Sequence, residues 1–164
     1  MIHTVTIQEK IALESCLLNK NLKSNIMARL KLKKTPITVN NIHGFVKSVS
    51  NLNIVQGEIS KADSNNVFKI VYTAELITPS VGDKFDSSKI IHYDNNVLFI
   101  EIDDLFDADA VIVNVDRVNN FYTFKNCECK IDVKTNKLPN VILTKVIFQK
   151  NKFIIIGEHS HIKN

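Results

Sequence analysis

The chain has 164 residues and a mass of 18.6 kDa, with 45% hydrophobic, 23% charged and 7% aromatic residues. That composition excludes disordered and fibrous classes and leaves room for one large domain or two small ones. No apolar run approaches the roughly 18 residues that span a bilayer, and no basic segment followed by an apolar one opens the chain, so neither membrane insertion nor secretion is expected.

The formal charge of +4 conceals three blocks: +5 over residues 1–79, −7 over residues 80–116 and +6 over residues 117–164. Such segregation either steers the molecule towards partners of opposite character or is neutralised when strands lay the blocks side by side. The four glycines form no Gly-rich phosphate loop, which argues against nucleotide chemistry. Three cysteines, Cys16, Cys127 and Cys129, are too few for a disulfide framework, so a reducing compartment is expected. The 19 asparagines, with abundant Lys and Ile, match the usage of an AT-rich genome.

Taken in chain order, the first element is an N-terminal strand. Apolar residues at Leu18, Leu22, Ile26 and Leu30 then predict an amphipathic helix over residues 16–32, closed by Lys31, Lys33, Lys34 and Pro36. Three strands are predicted over residues 42–49, 52–59 and 67–76, separated by polar turns. Pro79 and Gly82 coincide with the change of charge sign, which places a domain boundary there: residues 1–79 and 80–164. Beyond it, five or six short strands are expected, with turns at Asp94-Asn95-Asn96 and Lys150-Asn151-Lys152. Without a convincing helix, such a run predicts a small barrel of the OB type.

Within this frame, His43-Gly44-Phe45-Val46-Lys47-Ser48-Val49, then Gln56-Gly57-Glu58-Ile59, then Val67-Phe68-Lys69-Ile70-Val71-Tyr72-Thr73-Ala74 through Pro79 and Gly82-Asp83, follow one another in a telling order. The chain resembles the family made up of subunit seven of RNA polymerase II and its counterpart in the archaeal RNA polymerase. Two departures, Ser80-Val81 in place of the family's aromatic-Lys pair and a glycine-free stretch at Ser60 to Asn66, point to a divergent viral homologue similar in character to the small polymerase subunit of poxviruses and related large cytoplasmic DNA viruses.

The resemblance implies an α+β fold: an N-terminal tip domain, with a helix packed on a small antiparallel sheet, followed by a C-terminal S1-like OB β-barrel. It implies a non-catalytic, stalk-like subunit of a DNA-directed RNA polymerase, with no activity, cofactor or metal of its own. The implied partners are the large polymerase subunits, with a small companion subunit and nascent RNA as further candidates. The location would be the cytoplasm of the infected cell and the virion if viral, and the nucleus if cellular. In that family the turn region of the tip meets the polymerase core near the clamp, which assigns Asn53, Ile54, Gln56, Gly57, Glu58, Ser60 and Asn65 to the interface. The plain alternative is an ordinary hairpin in which Gly57 serves a turn or bulge. The function class that competes is a free-standing OB-type single-strand nucleic-acid binder.

An OB surface binds single strands through basic groups and stacking aromatics. Tyr93, Tyr122, Lys125 and Lys130 are the candidates here, unless the aromatics belong to the core. The acidic run from Glu101 to Asp109 lacks the glycine and terminal glutamate of an EF-hand and reads as a solvated loop. Cys127 and Cys129 are read as strand residues whose sulfurs share a side. With His159 and His161 they would make a zinc set, but no second Cys pair supports one. The five histidines have no nucleophile motif beside them.

Overall fold

A computed structural model describes residues 1–32, 34–59, 65–105 and 107–160. The chain divides into two units, Ile2–Thr78 and Pro79–Asn164.

In the first unit, strand β1 (Ile2–Glu14) runs to a short 3-10 turn at Ser15–Leu17, then helix α1 (Leu22–Lys31), β2 (Ile37–Val39), β3 (Ile42–Ile59) and β4 (Asn65–Ile77). The four strands form one antiparallel sheet in the order β1-β4-β3-β2. Period-two alternation sends Val5, Ile7, Ile11 and Leu13 of β1 to the same face as Phe68, Ile70, Tyr72, Ala74 and Leu76 of β4, and that face is the core. Ile26 and Leu30 of α1 are buried in the same cluster.

The second unit contains β5 (Lys84–Phe85), β6 (Ser88–Asp94), β7 (Val97–Ile102), β8 (Asp109–Val113), β9 (Val115–Val118), β10 (Phe121–Phe124), β11 (Lys130–Asp132), β12 (Lys137–Leu138), β13 (Val141–Gln149) and β14 (Lys152–His159). Seven strands make a sheet in the order β12-β6-β7-β8-β14-β13-β5, and β11-β10-β9 make a second, three-stranded sheet. All pairings are antiparallel except β8 with β14. Lys84–Phe85 pairs with β13, and the following Ser88–Asp94 pairs with β7, so neighbouring stretches of chain reach towards both margins and the sheet curls. Leu98, Ile112, Val115, Leu138, Val141 and Ile155 fill its interior.

This architecture corrects the expected fold class. The expected α+β fold, a tip domain ahead of an OB barrel, does not form: the protein is mostly β, 63% strand and 9% helix, with curled sheets. Where five or six strands were expected in the second unit, its described residues form ten, in two sheets.

Two local causes account for the difference in the first unit. Asn19 Oδ1 accepts the Asn21 backbone N–H at 2.8 Å, a local turn that competes with helix and delays α1 to Leu22. At Asn51 a turn was expected to separate two strands. That residue instead takes φ 51° inside the single long β3, where the register shifts between Ser50 and Asn53 as a bulge.

Asparagine is the device throughout. Nine asparagines have positive φ among the described residues, including Asn40-Asn41 and Asn95-Asn96, while Lys150-Asn151 does the same between β13 and β14. Paired positive φ values suit two-residue hairpin turns, and Asn tolerates this region better than other non-glycine residues. A chain with four glycines thereby makes its tight turns. No helix of the described residues is long and apolar enough to cross a membrane.

Candidate functional site

The sequence-assigned interface falls on the outer half of β3. Asn53, Gln56, Gly57 and Glu58 are exposed, whereas Ile54 is half-buried and packs against the core. Ser60 and the side chain of Asn65 lie outside the described residues. Gln56 is the cross-strand partner of Lys69, which is the partner of Lys10, so a polar row crosses β3, β4 and β1 on the face away from the core. Val55 stands beside it, 58% exposed. Gly57 has a packing reason of its own: a Cβ there would come within 2.9 Å of the Phe68 ring across the strand.

The candidate RNA-binding residues are split by the fold. Tyr122 is buried, its ring tilted against Tyr93 with centroids 5.6 Å apart, so it offers no face to a base. The half-buried Tyr93 has its hydroxyl 3.0 Å from Asn96 Oδ1 and 3.1 Å from the Val115 carbonyl oxygen, which also holds it inward. Lys125 and Lys130 are exposed and line one cavity of about 400 Å³ at the β10–β11 turn. The aromatic pair that reaches solvent was not among the candidates: exposed His92 stacks on half-buried Phe99, its cross-strand partner, with centroids 4.1 Å apart and planes at 9°. The available signal was their place on the adjacent strands of a predicted hairpin.

An ion pair joins the acidic block to the basic block that follows it. Asp109 opens β8, and Lys152 of the neighbouring β14 reaches its Oδ1 at 3.0 Å. That hydrogen bond and charge hold the Lys152 ammonium above its ordinary range, with Asp107 adding to the effect.

A third constellation is the cluster of Cys127, Cys129 and His159. The two cysteines are half-buried and occupy the loop between β10 and β11, which corrects their expected place in a strand. His159 ends β14 opposite Val141 and is buried. One ligand atom from each of the three lies within 4.8 Å of the others. His159 Nδ1 lies 2.8 Å from the Pro139 carbonyl oxygen, and the Phe124 ring packs against the imidazole with centroids 4.8 Å apart. A carbonyl only accepts, so Nδ1 carries the proton and Nε2 the lone pair in the neutral ring. The Cys129 thiol is pushed up to about 11, by burial first and then by the hydrogen bond and charge of Cys127. His161, the other residue considered for this set, lies outside the described residues.

Comparison with protein-family models and with curated proteins finds no match.

Proposed function

We propose that the chain is a non-catalytic, stalk-like subunit of a multisubunit DNA-directed RNA polymerase, of the kind found in large cytoplasmic DNA viruses. The observation that supports this reading is strand register. The sequence pieces behind the polymerase-subunit resemblance are separate in the chain but paired in the fold: Phe45 opposite Ile77, Val46 opposite Leu76 and Gly57 opposite Phe68. Two of the pattern's three glycines sit where a side chain would collide, Gly44 against the Ile77 carbonyl oxygen and Gly57 against the Phe68 ring, while Gly82 has open space around it and a positive φ of 94°. The motifs between His43 and Ile77 therefore share one pair of strands, β3 and β4.

In this role the β3 edge from Asn53 to Glu58 anchors the first unit to the large subunits. The polar row of Lys10, Lys69 and Gln56 supplies hydrogen-bonding groups, and Val55 supplies an apolar contact. The anchor would limit movement of the polymerase clamp mechanically, and a small companion subunit would dock on the same unit. Lys125 and Lys130, both exposed at the β10–β11 turn, would meet the phosphates of emerging RNA. The bond-making chemistry belongs to another chain of the complex.

The test is an affinity pull-down of the tagged chain from the cells that contain it, with mass spectrometry and promoter-independent transcription on the eluate. Recovery of the large polymerase subunits with transcription activity supports the role. Their absence, with single-stranded nucleic acid retained instead, overturns it.

A further inference from the structure

We propose that Cys127, Cys129 and His159 form a three-ligand zinc site that fastens the β10–β11 loop to the end of β14. The inference stands on the second unit's own residues and goes beyond the polymerase role, whichever complex the chain serves.

The donor set comes first. Two thiols and an imidazole are the ligand types that select Zn²⁺ over the oxygen-seeking Ca²⁺ and Mg²⁺, and two sulfurs with one nitrogen is an established zinc combination with a fourth position left over. Their ligand atoms already lie within 4.8 Å of one another. Tetrahedral Zn²⁺, with bonds of ~2.3 Å to sulfur and ~2.0 Å to nitrogen, holds such atoms ~3.5–3.8 Å apart. Rotation of the two cysteine side chains on an irregular loop covers the remaining ~1 Å, a small adjustment for sp³ rotors.

The second argument is the setting of His159. Its Nδ1–H donates to the Pro139 carbonyl, the kind of outer-shell contact that fixes the tautomer and ring orientation of metal-binding histidines. Three features hold the ring: the pairing of β14 with β13, the Pro139 carbonyl and the Phe124 face.

The cluster is open to solvent on one side. Cys127 and His159 border a cavity of about 560 Å³, which Glu128, Glu158 and Ser160 also line. An ion can enter there, and water or an outside ligand can take the fourth position. Among the described residues the loop is held by two long backbone bonds, Lys125 N–H to the Asn114 carbonyl oxygen at 3.3 Å and Cys127 N–H to the Phe124 carbonyl oxygen at 3.4 Å. A metal clip would add to these long bonds.

The experiment titrates the reduced full-length chain with Zn²⁺ against a chromophoric chelator and records the absorption of the Co²⁺-loaded protein. One equivalent should bind, and Co²⁺ should give intense visible bands of tetrahedral geometry with a near-ultraviolet thiolate charge-transfer band. Cys129→Ser should weaken Zn²⁺ binding by more than the ~10–100-fold that loss of an outer-shell partner costs, and should diminish the charge-transfer band. His159→Gln should shift the visible bands while the thiolate band persists. Cys16→Ser, in the other unit, should change nothing. If His159→Gln fails to fold, Cys129→Ser and Cys127→Ser decide the matter alone, since both lie on an open loop. Failure to compete with the chelator, or binding that is unchanged in both loop variants, overturns the assignment.

Discussion

Gly57 and Phe68 are cross-strand partners, and the Phe68 ring occupies the space a side chain on Gly57 would need: a Cβ there would stand 2.9 Å from Cε1 and 3.0 Å from Cδ1. An aromatic covering a strand glycine restores the side-chain contact that glycine lacks. Gly57→Ala should therefore push the ring from its buried position and destabilise the first unit by about 1–3 kcal/mol, the usual cost of overpacking. In a Phe68→Ala background the same change should cost less. A double-mutant cycle in urea measures the coupling; additive effects would show that the ring and the glycine do not depend on each other.

Gly44 is the sterner case. A Cβ there would meet the Ile77 carbonyl oxygen at 2.9 Å and the Ile77 carbonyl carbon at 3.2 Å, atoms of the backbone that no rotamer change removes. Gly44→Ala should accordingly destabilise more than Gly57→Ala, and hydrogen exchange should report the loss first at the paired ends of β3 and β4. Equal effects at the two sites would contradict the steric account.

Tyr72 Oη donates to Glu9 Oε1 at 2.9 Å, between two strands on the core side of the sheet. Burial first, then the hydrogen bond to Glu9 and its charge, raise the Tyr72 ionisation well above the usual phenol range. A raised value in the folded state means that the unfolded chain loses this proton first. The contribution is thus whole below pH ~10 and is lost as pH climbs beyond it. Tyr72→Phe should cost about 1.5–3 kcal/mol at neutral pH, the range for a hydrogen bond to a charged group, and should flatten the alkaline limb of the stability profile.

Tyr122 and the two lysines separate packing from recognition. Tyr122→Ala removes a buried ring and should destabilise the second unit by about 3–5 kcal/mol, so any loss of RNA crosslinking in that variant reflects unfolding. Lys125→Ala with Lys130→Ala alters two exposed side chains and should leave the thermal midpoint in place while weakening crosslinking. Unchanged crosslinking in the folded lysine variant removes this surface from the RNA path.

Zinc should also stabilise the second unit by mass action. At one hundred times the dissociation constant the gain is ~2.7 kcal/mol, visible as a rise in the unfolding midpoint that is absent in Cys129→Ser. A midpoint indifferent to Zn²⁺ in the reduced protein would contradict the site.

Much of the strand pattern is legible in the sequence, because alternating Val, Ile and Phe mark half-buried strands and Asn95-Asn96 and Lys150-Asn151 mark their turns. The fold class is not. A four-residue apolar spacing suggests a helix from residue 16, but the Asn19 side chain captures the backbone and leaves ten helical residues. The length of β3 is hidden for a similar reason: Asn51 reads as a turn and acts as a bulge. The Cys127 and Cys129 pair is visible as a spacing, yet its convergence with His159 depends on β14 register and on the Pro139 carbonyl, neither of which local pattern encodes. Tyr122 and Tyr93 look like a stacking surface because sequence gives residue type and not facing.

The most direct measurement of the central claim is to purify the polymerase through its largest subunit from the native cells and count this chain against it by quantitative mass spectrometry. A polymerase subunit anchored through the β3 edge is present at near one copy per enzyme, persists at moderate salt and is lost when Gln56 and Glu58 are both changed to Arg. A chain that is absent from the enzyme, or present only in traces that salt removes, contradicts the claim.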